Sequence, residues 1–196
     1  MEKSEWPANI VTRIRQLYPV GDEVLQLLLS RMDRLVIPAK SIIVEGGKID
    51  RRVYFIERGI TRSYSLYDGK EVTTWFSEEG GIACSSNSLY RNHAGFEYVE
   101  TLEQTVAFVI STDALTNLVS TNIELANWWR IQQQEIFLSL QDLHLARLNL
   151  SGEQRYLMML REFPAVCRRV NLGYVASFLG LSQPSLSRIR ACIRSF

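Results

Sequence analysis

Apolar positions recur at two different periods along the chain, and the change of period divides it. Residues 8 to 34 follow a helical spacing: Ile10, Ile14 and Leu17 lie four and three apart, and after the Pro19-Val20-Gly21 break Val24, Leu27, Leu28 and Met32 resume it. Two short helices are predicted there. From about Leu35 to Ser111 the texture changes to short runs rich in β-branched and aromatic residues, SIIV, RVYFI, ITRSYSLY, EVTTWF, FEYVE and TVAFVI, punctuated by Gly46-Gly47, Gly59, Asp68-Gly69 and Gly80-Gly81. Asp68-Gly69, between a Tyr-rich and a Thr-rich run, predicts a tight hairpin. Closely spaced strands with glycine corners predict an antiparallel sandwich or barrel of jelly-roll type.

Helical character returns over residues 113 to 147, first in a short ALTNLV segment and then in a run without Gly or Pro from about Glu124 to Leu148. In that run Trp129, Ile136 and Leu143 recur every seven residues, with Ala126, Gln133, Leu140 and Arg147 in the companion row. Such a seam has two uses. It can pack on the chain's own β-domain, or it can pair with a parallel copy in a homodimer, where the Gln132-Gln133-Gln134 stretch limits the register. The reading taken is the homodimer, with Trp129, Ile136, Leu140 and Leu143 at the interface. The chain then divides into a β-roll or effector part (1–120), a dimerisation helix (121–148) and a terminal helical module (149–196), an α+β organisation.

The last 50 or so residues carry the most specific pattern. Leu150-Ser151-Gly152-Glu153 reads as a helix start, RYLMMLREF follows and Pro164 stops it; VNLGYVASFLGLSQPSLSRIRACI then spans Val170 to Ile193. Its spacing is that of a helix-turn-helix. Ala176 supplies the small residue where two helices cross, and Leu172, Val175 and Leu179 are apolar anchors on one face. Gly180 falls at the turn, where a positive φ is needed. Leu181 plugs the core, Ser182 is placed to cap the second helix, and Leu186, Ile189 and Ile193 bury its inner face. The opposite face, Gln183, Ser185, Ser187, Arg188 and Arg190 with Arg194 near the end, is polar, basic and free of carboxylates.

Charge sharpens that picture. Over 196 residues the net charge is +1, but from Leu145 onward there are eight arginines, no lysine and two glutamates, a local +6 that leaves −5 on the rest. A basic terminal module on an acidic body makes double-stranded DNA the candidate partner. A helix in the major groove reads base edges with donors of fixed geometry, and arginine pairs bidentately with guanine. Arg188 is assigned to a base. Gln183 and Ser185 in the first turn reach bases or phosphates, and Ser182, Arg190 and Arg194 hold phosphate and set register. The alternative is a β-roll interaction module whose terminal helices bind a protein partner.

Several chemistries are excluded by residue type. Cys84, Cys167 and Cys192 are odd in number and far apart, with no C-x-x-C pair, so no disulfide framework, zinc or iron–sulfur site is suggested, and a reducing cytoplasm fits. No stretch approaches the roughly 18 consecutive apolar residues of a membrane span, and the N-terminal residues lack a signal-peptide core, so a soluble, unprocessed protein is expected. A cupin-type metal centre needs two or three histidines with a glutamate, and His93 is the only histidine in the β-region. There is no G-x-S-x-G elbow, P-loop or H-E-x-x-H, so no enzyme and no cofactor or metal site is expected.

The order of parts, with Gly46, Gly47, the segment Tyr54 to Gly59, Gly80 and the closing ASFLGLSQPSLSRIR, resembles the family of the cyclic AMP receptor protein and FNR. The resemblance implies a homodimeric transcription regulator with a β-roll effector domain, a dimerising helix and a winged helix-turn-helix. Two recognition helices would enter successive major grooves about 34 Å apart on a pseudo-palindromic operator, with RNA polymerase as a further partner. In cyclic-nucleotide-binding members a glutamate holds the ribose and an Arg-Ser or Arg-Ala pair the cyclic phosphate. Here Ser85 stands at the glutamate position, and Gly95 and Phe96 at the arginine pair. A buried phosphate without a cation is costly, so no cyclic AMP or cyclic GMP binding is expected. Ser85, Ser86, Asn87, Ser88 and Arg91 are the candidate effector-pocket residues, for an unknown small molecule. Haem ligation would fall to His93 or His144 and thiol sensing to Cys84, and each is read as an ordinary side chain instead.

Overall fold

The computed structural model describes residues 5–194, the side chain of Arg194 excepted. Helices α1 (Ala8–Leu17) and α2 (Asp22–Leu29) form on either side of the Pro19-Val20-Gly21 break, and their apolar stripes, Ile10 and Ile14 on the first and Leu25 and Leu28 on the second, are buried. The helical spacing read as far as residue 34 runs too long. Asp33–Ile37 is strand β1, held by register pairing from Asp33↔Val109 to Ile37↔Thr105. Its β-branched end finds a ladder partner seventy residues away, a gain that local periodicity cannot register.

Seven further strands follow: β2 (Ile42–Val44), β3 (Arg52–Arg58), β4 (Thr61–Tyr67), β5 (Lys70–Ser77), β6 (Ile82–Cys84), β7 (Glu97–Thr101) and β8 (Thr105–Ser111). They make two antiparallel four-stranded sheets, ordered β1-β8-β3-β6 and β2-β7-β4-β5. At the β4–β5 hairpin Tyr67 pairs with Lys70, and the two loop residues Asp68 and Gly69 have φ of 48° and 73°, the left-handed pair that a twisted two-residue turn demands. Between the sheets lie Ile43, Val44, Tyr54, Ile56, Ala83, Val99, Ala107 and Val109. The outer face of the first sheet, through Val53, Phe55, Phe108 and Ile110, packs against the N-terminal helices and those that follow the roll. A short helix, α3 (Ser86–Arg91), interrupts the strands.

After the roll come α4 (Thr112–Thr121), α5 (Ile123–Asn149), α6 (Gly152–Glu162), α7 (Pro164–Arg169), α8 (Leu172–Leu179) and α9 (Gln183–Arg194). Ser151 and Gln154 form a reciprocal capping box that starts α6. Pro164 both ends α6 and opens α7, since its missing N–H costs nothing in a first turn. Tyr156, Met159, Val166, Val175, Ala176, Phe178, Leu179 and Leu186 form the C-terminal core together with Leu143 of α5 and Ile60 and Phe76 of the roll. No strand follows β8 among the described residues, so the wing implied by the resemblance is not found in them.

Helix α5 is apolar on more than one side. Leu125 and Trp128 face the roll, where the Trp128 ring lies 6.1 Å from that of Phe55, while Leu143 and Ala146 face the C-terminal core. The row expected to form a dimer seam is therefore largely used within the protomer: Trp129 packs on the core of the roll, Ile136 and Leu140 line a cavity between the roll and α5, and Leu143 is only 7% exposed. Of the four, Leu140 alone is left exposed. A different set faces outward. Leu138 and Leu145 lie seven apart, in line with the half-buried Ile131, and Phe137 and Leu148 beside them are 65% and 68% exposed. A seven-residue repeat on a helix of 3.6 residues per turn states that a stripe exists, not which body covers it.

Candidate nucleic-acid interface

Asn171 opens α8 by accepting the Gly173 N–H on Oδ1 at 2.7 Å, and the helix ends where Gly180 adopts φ 66°. In that conformation the N–H of Leu181 reaches the carbonyl of Ala176 at 2.9 Å, closing the helix and turning the chain. A side chain at residue 180 would strain the turn. Ala176, Val175 and Leu179 are buried against Leu186 of α9, with Leu181, Ile189 and Ile193 packed around them. The helix-turn-helix read from spacing is the one that forms.

The inner face of α9 being spent on this core, Gln183, Pro184, Ser187, Arg188, Ala191 and Cys192 are turned to solvent. Arg188 makes no ion pair or hydrogen bond among the described residues, and α9 contains no acidic residue. Gln183 lies beside Gly173, whose absent Cβ would stand 3.1 Å from its Oε1. Ser182 and Ser185 are engaged with each other: their hydroxyls share a 2.8 Å hydrogen bond, and Ser182 Oγ accepts the Ser185 N–H at 3.2 Å. Arg190 is half-buried on the flank near Cys167; burial pushes that thiol up to about 11, and the neighbouring Arg190 charge works against the rise. The side chain of Arg194 lies outside the described set. Ser187, read from the sequence as part of this face but given no role, sits on it, exposed, immediately before Arg188.

Two of the eight terminal arginines are used inside the protein. Arg147 donates to the Phe178 carbonyl at 2.6 Å. Arg169 makes a bidentate pair with Glu79 at 2.8 and 2.9 Å and a further bond to Glu103, which ties α7 to the roll. These bonds and the Glu79 contacts raise the Arg169 pKa. Burial would lift the Glu79 pKa, but Arg169 and the Gly59 N–H outweigh it and hold that carboxyl below its ordinary range.

Helix α8 docks on the second sheet. The Thr73 N–H donates to Ser177 Oγ at 2.9 Å, and the Ser177 hydroxyl donates to the Glu71 carbonyl. Beneath it Arg62 is 0% exposed, with its guanidinium 4.2 Å from the Tyr64 ring centroid and 3.8 Å from that of Tyr174. Its charge is met by Glu71 and by Glu100 at 3.2 Å. A buried arginine between two rings and two carboxylates is tolerable only while all of them stay in place.

A second site lies between the roll and α5, a cavity of about 230 Å³ walled by Trp75, Cys84, Tyr90 and Glu97 on one side and Trp129 and Gln133 on the other. Of the effector residues expected from sequence only Ser86 lines it. Ser85 is buried as the cap of α3, Ser88 accepts the Asp50 N–H and donates to the His93 carbonyl, and the Asn87 carbonyl accepts from the His93 N–H. Arg91 is exposed and does not line the cavity. The serine run is a satisfied turn and helix start, which leaves the cavity to residues scattered over six elements. Gly95 is buried, and Phe96 points to solvent at 86% exposure. Burial pushes the Cys84 thiol up to about 12, with Glu97 and Asp50 adding to the rise, so it stays protonated.

Residues 34–122 match the family described as the cyclic nucleotide-binding domain. FixK2 from Bradyrhizobium japonicum is similar in structure at 18% identity, covering 84% of this chain and 85% of that one with a TM-score of 0.69. CLP from Xanthomonas campestris, described as a c-di-GMP responsive global regulator, is 14% identical over 89% and 92%, with a TM-score of 0.71. A Eubacterium rectale protein described as a transcriptional regulator of the CRP/FNR family is 16% identical over 90% and 84%, with a TM-score of 0.67. The chain has the fold of the CRP/FNR regulators. The family match runs from β1 to the residue before α5. No curated protein sequence matches the chain.

Proposed function

We propose that the chain is a homodimeric, sequence-specific DNA-binding transcription regulator of the CRP/FNR type, with α9 as its recognition helix. One observation carries the reading. Helix α9 presents a solvent-facing side free of carboxylates, with an unpaired Arg188, on a helix locked to its neighbour by the Gly180 turn. Arg188 reads a base, Gln183 and Ser187 reach bases or phosphates from the first turns, and Arg190 and Arg194 hold phosphate. Ser182, whose hydroxyl caps the helix, and Ser185, whose hydroxyl holds that of Ser182, act mainly by orienting it.

Dimerisation uses the outward side of α5, where Leu138, Leu145 and Leu148 are exposed, with Leu140 at its margin. A parallel pair of these helices buries that row and places two recognition helices on one face of a duplex. Cyclic nucleotides are not the effector in this reading, since no lysine, arginine or histidine lines the cavity between roll and α5.

The test is a fluorescence-anisotropy titration against random duplexes at two salt concentrations, followed by sequencing of the bound fraction. An enriched inverted repeat, with affinity falling steeply as salt rises, is the expected result. Binding without sequence enrichment, or none at low salt, would overturn it.

A further inference from the structure

The wall of the cavity between the roll and α5 has a chemistry opposite to that of a phosphate site. Glu97, on β7, is its one charged lining residue. Its Oε1 accepts the Ser86 N–H at 2.8 Å, and it has no ion pair among the described residues. Around it stand the aromatic residues Trp75, Tyr90 and Trp129, with Gln133 as a neutral polar group. Ring faces carry negative quadrupole charge and attract cations, and a carboxylate adds a formal charge of the same sign. An anion here would meet repulsion from the Glu97 carboxylate, with no lysine, arginine or histidine among the described lining residues to offset it. At about 230 Å³ the space is smaller than the 300–1,000 Å³ of drug-sized ligand pockets.

We propose that this cavity binds a small organic ammonium ion, with Glu97 as its counter-charge and Trp75, Tyr90 and Trp129 as cation–π partners. Most of the wall belongs to the roll and the rest, Trp129, Gln133, Ile136 and Leu140, to α5, so an occupant bridges the two and bears on the helix that leads into the helix-turn-helix. That regulatory consequence rests on the function proposed above; the binding itself does not.

Calorimetric titration of the full chain, without DNA, separates the two. The probes are tetramethylammonium, choline, putrescine, the uncharged choline isostere 3,3-dimethylbutanol, and cyclic AMP. At least one ammonium probe is expected to bind, at least about tenfold more tightly than 3,3-dimethylbutanol and more tightly than cyclic AMP. Glu97→Gln keeps an oxygen to accept the Ser86 N–H while removing the charge, so it should unfold at the wild-type temperature yet lose at least about tenfold in ammonium affinity. A Glu97→Gln protein that melts early is replaced by wild type titrated at high salt, where the same loss of affinity is expected. The proposal is overturned if no ammonium probe binds, if the uncharged isostere binds equally well, or if cyclic AMP binds most tightly. Failure of DNA binding in the earlier assay leaves this result unaffected.

Discussion

The helices that follow the roll have two sides, and the two treat charge differently. Where the helices meet the roll, two guanidiniums among the described residues meet carboxylates: Arg62 of β4 has Glu71 and Glu100, and Arg169 of α7 has Glu79 and Glu103. On the side facing away, Arg188 has none among the described residues, and Leu138, Leu145 and Leu148 of α5 are left partly exposed. The first side pairs its charges within the chain, and the second leaves Arg188 without an ion pair among the described residues. A basic segment is thus no uniform signal of a nucleic-acid partner, because part of its charge is internal mortar and only the unpaired remainder is available for phosphate. The same distinction separates the adjacent helices α8 and α9. Tyr174 and Ser177 commit α8 to the second sheet, and α9 is left facing outward.

The strongest way to break this contrast is to spoil the paired side. Arg62→Met removes a fully buried cation from between two rings and leaves Glu100 beside them uncompensated, and a loss of about 3 kcal/mol or more in unfolding free energy is expected by chemical denaturation. Unchanged stability would mean that α8 is not held by this cluster. On the open side, Leu145→Glu places a charge in the outward row of α5. If that row pairs two copies, each contributing about 1.5 kcal/mol or more of apolar burial, sedimentation will show a shift from dimer to monomer with little change in protomer melting.

Arg188→Ala sharpens the contrast at a single residue. It should cost about 1 to 3 kcal/mol in operator affinity and relax preference at one position per half-site, with no change in melting temperature because the side chain has no partner to lose. The smallest effect is at Glu79. Its folded pKa lies below the ordinary value, so the stability it contributes is fully present above the unfolded carboxylate pKa and is lost as pH falls through the folded one. Wild type should therefore exceed Glu79→Gln by under about 1 kcal/mol at neutral pH, since the pair is partly solvated, and the difference should vanish in acid. A difference that grows on acidification would exclude the clamp.

Local chemistry made much of this protein legible. The Asp68-Gly69 hairpin, the Ser151 cap, Pro164 and the Ala176, Gly180 and Leu186 framework each form by rules that operate within a few residues, and each appears where the sequence places it. The cavity was not legible in that way. Its wall draws Trp75, Cys84, Glu97 and Gln133 from separate elements, whereas of the Ser85 to Ser88 run that drew the eye Ser86 alone reaches it, the rest being taken up by their own turn.

Helix α5 shows where the division falls. Its length, its freedom from Gly and Pro and its seven-residue apolar recurrence are properties of the chain alone, and they determine a long helix with more than one apolar stripe. Which stripe is internal depends on where the roll and the terminal helices sit around it. Trp129 and Leu143 are drawn inward and Leu138 and Leu145 are left outside by packing between segments distant in sequence, because burial energy depends on the surface removed from water and is blind to order along the chain.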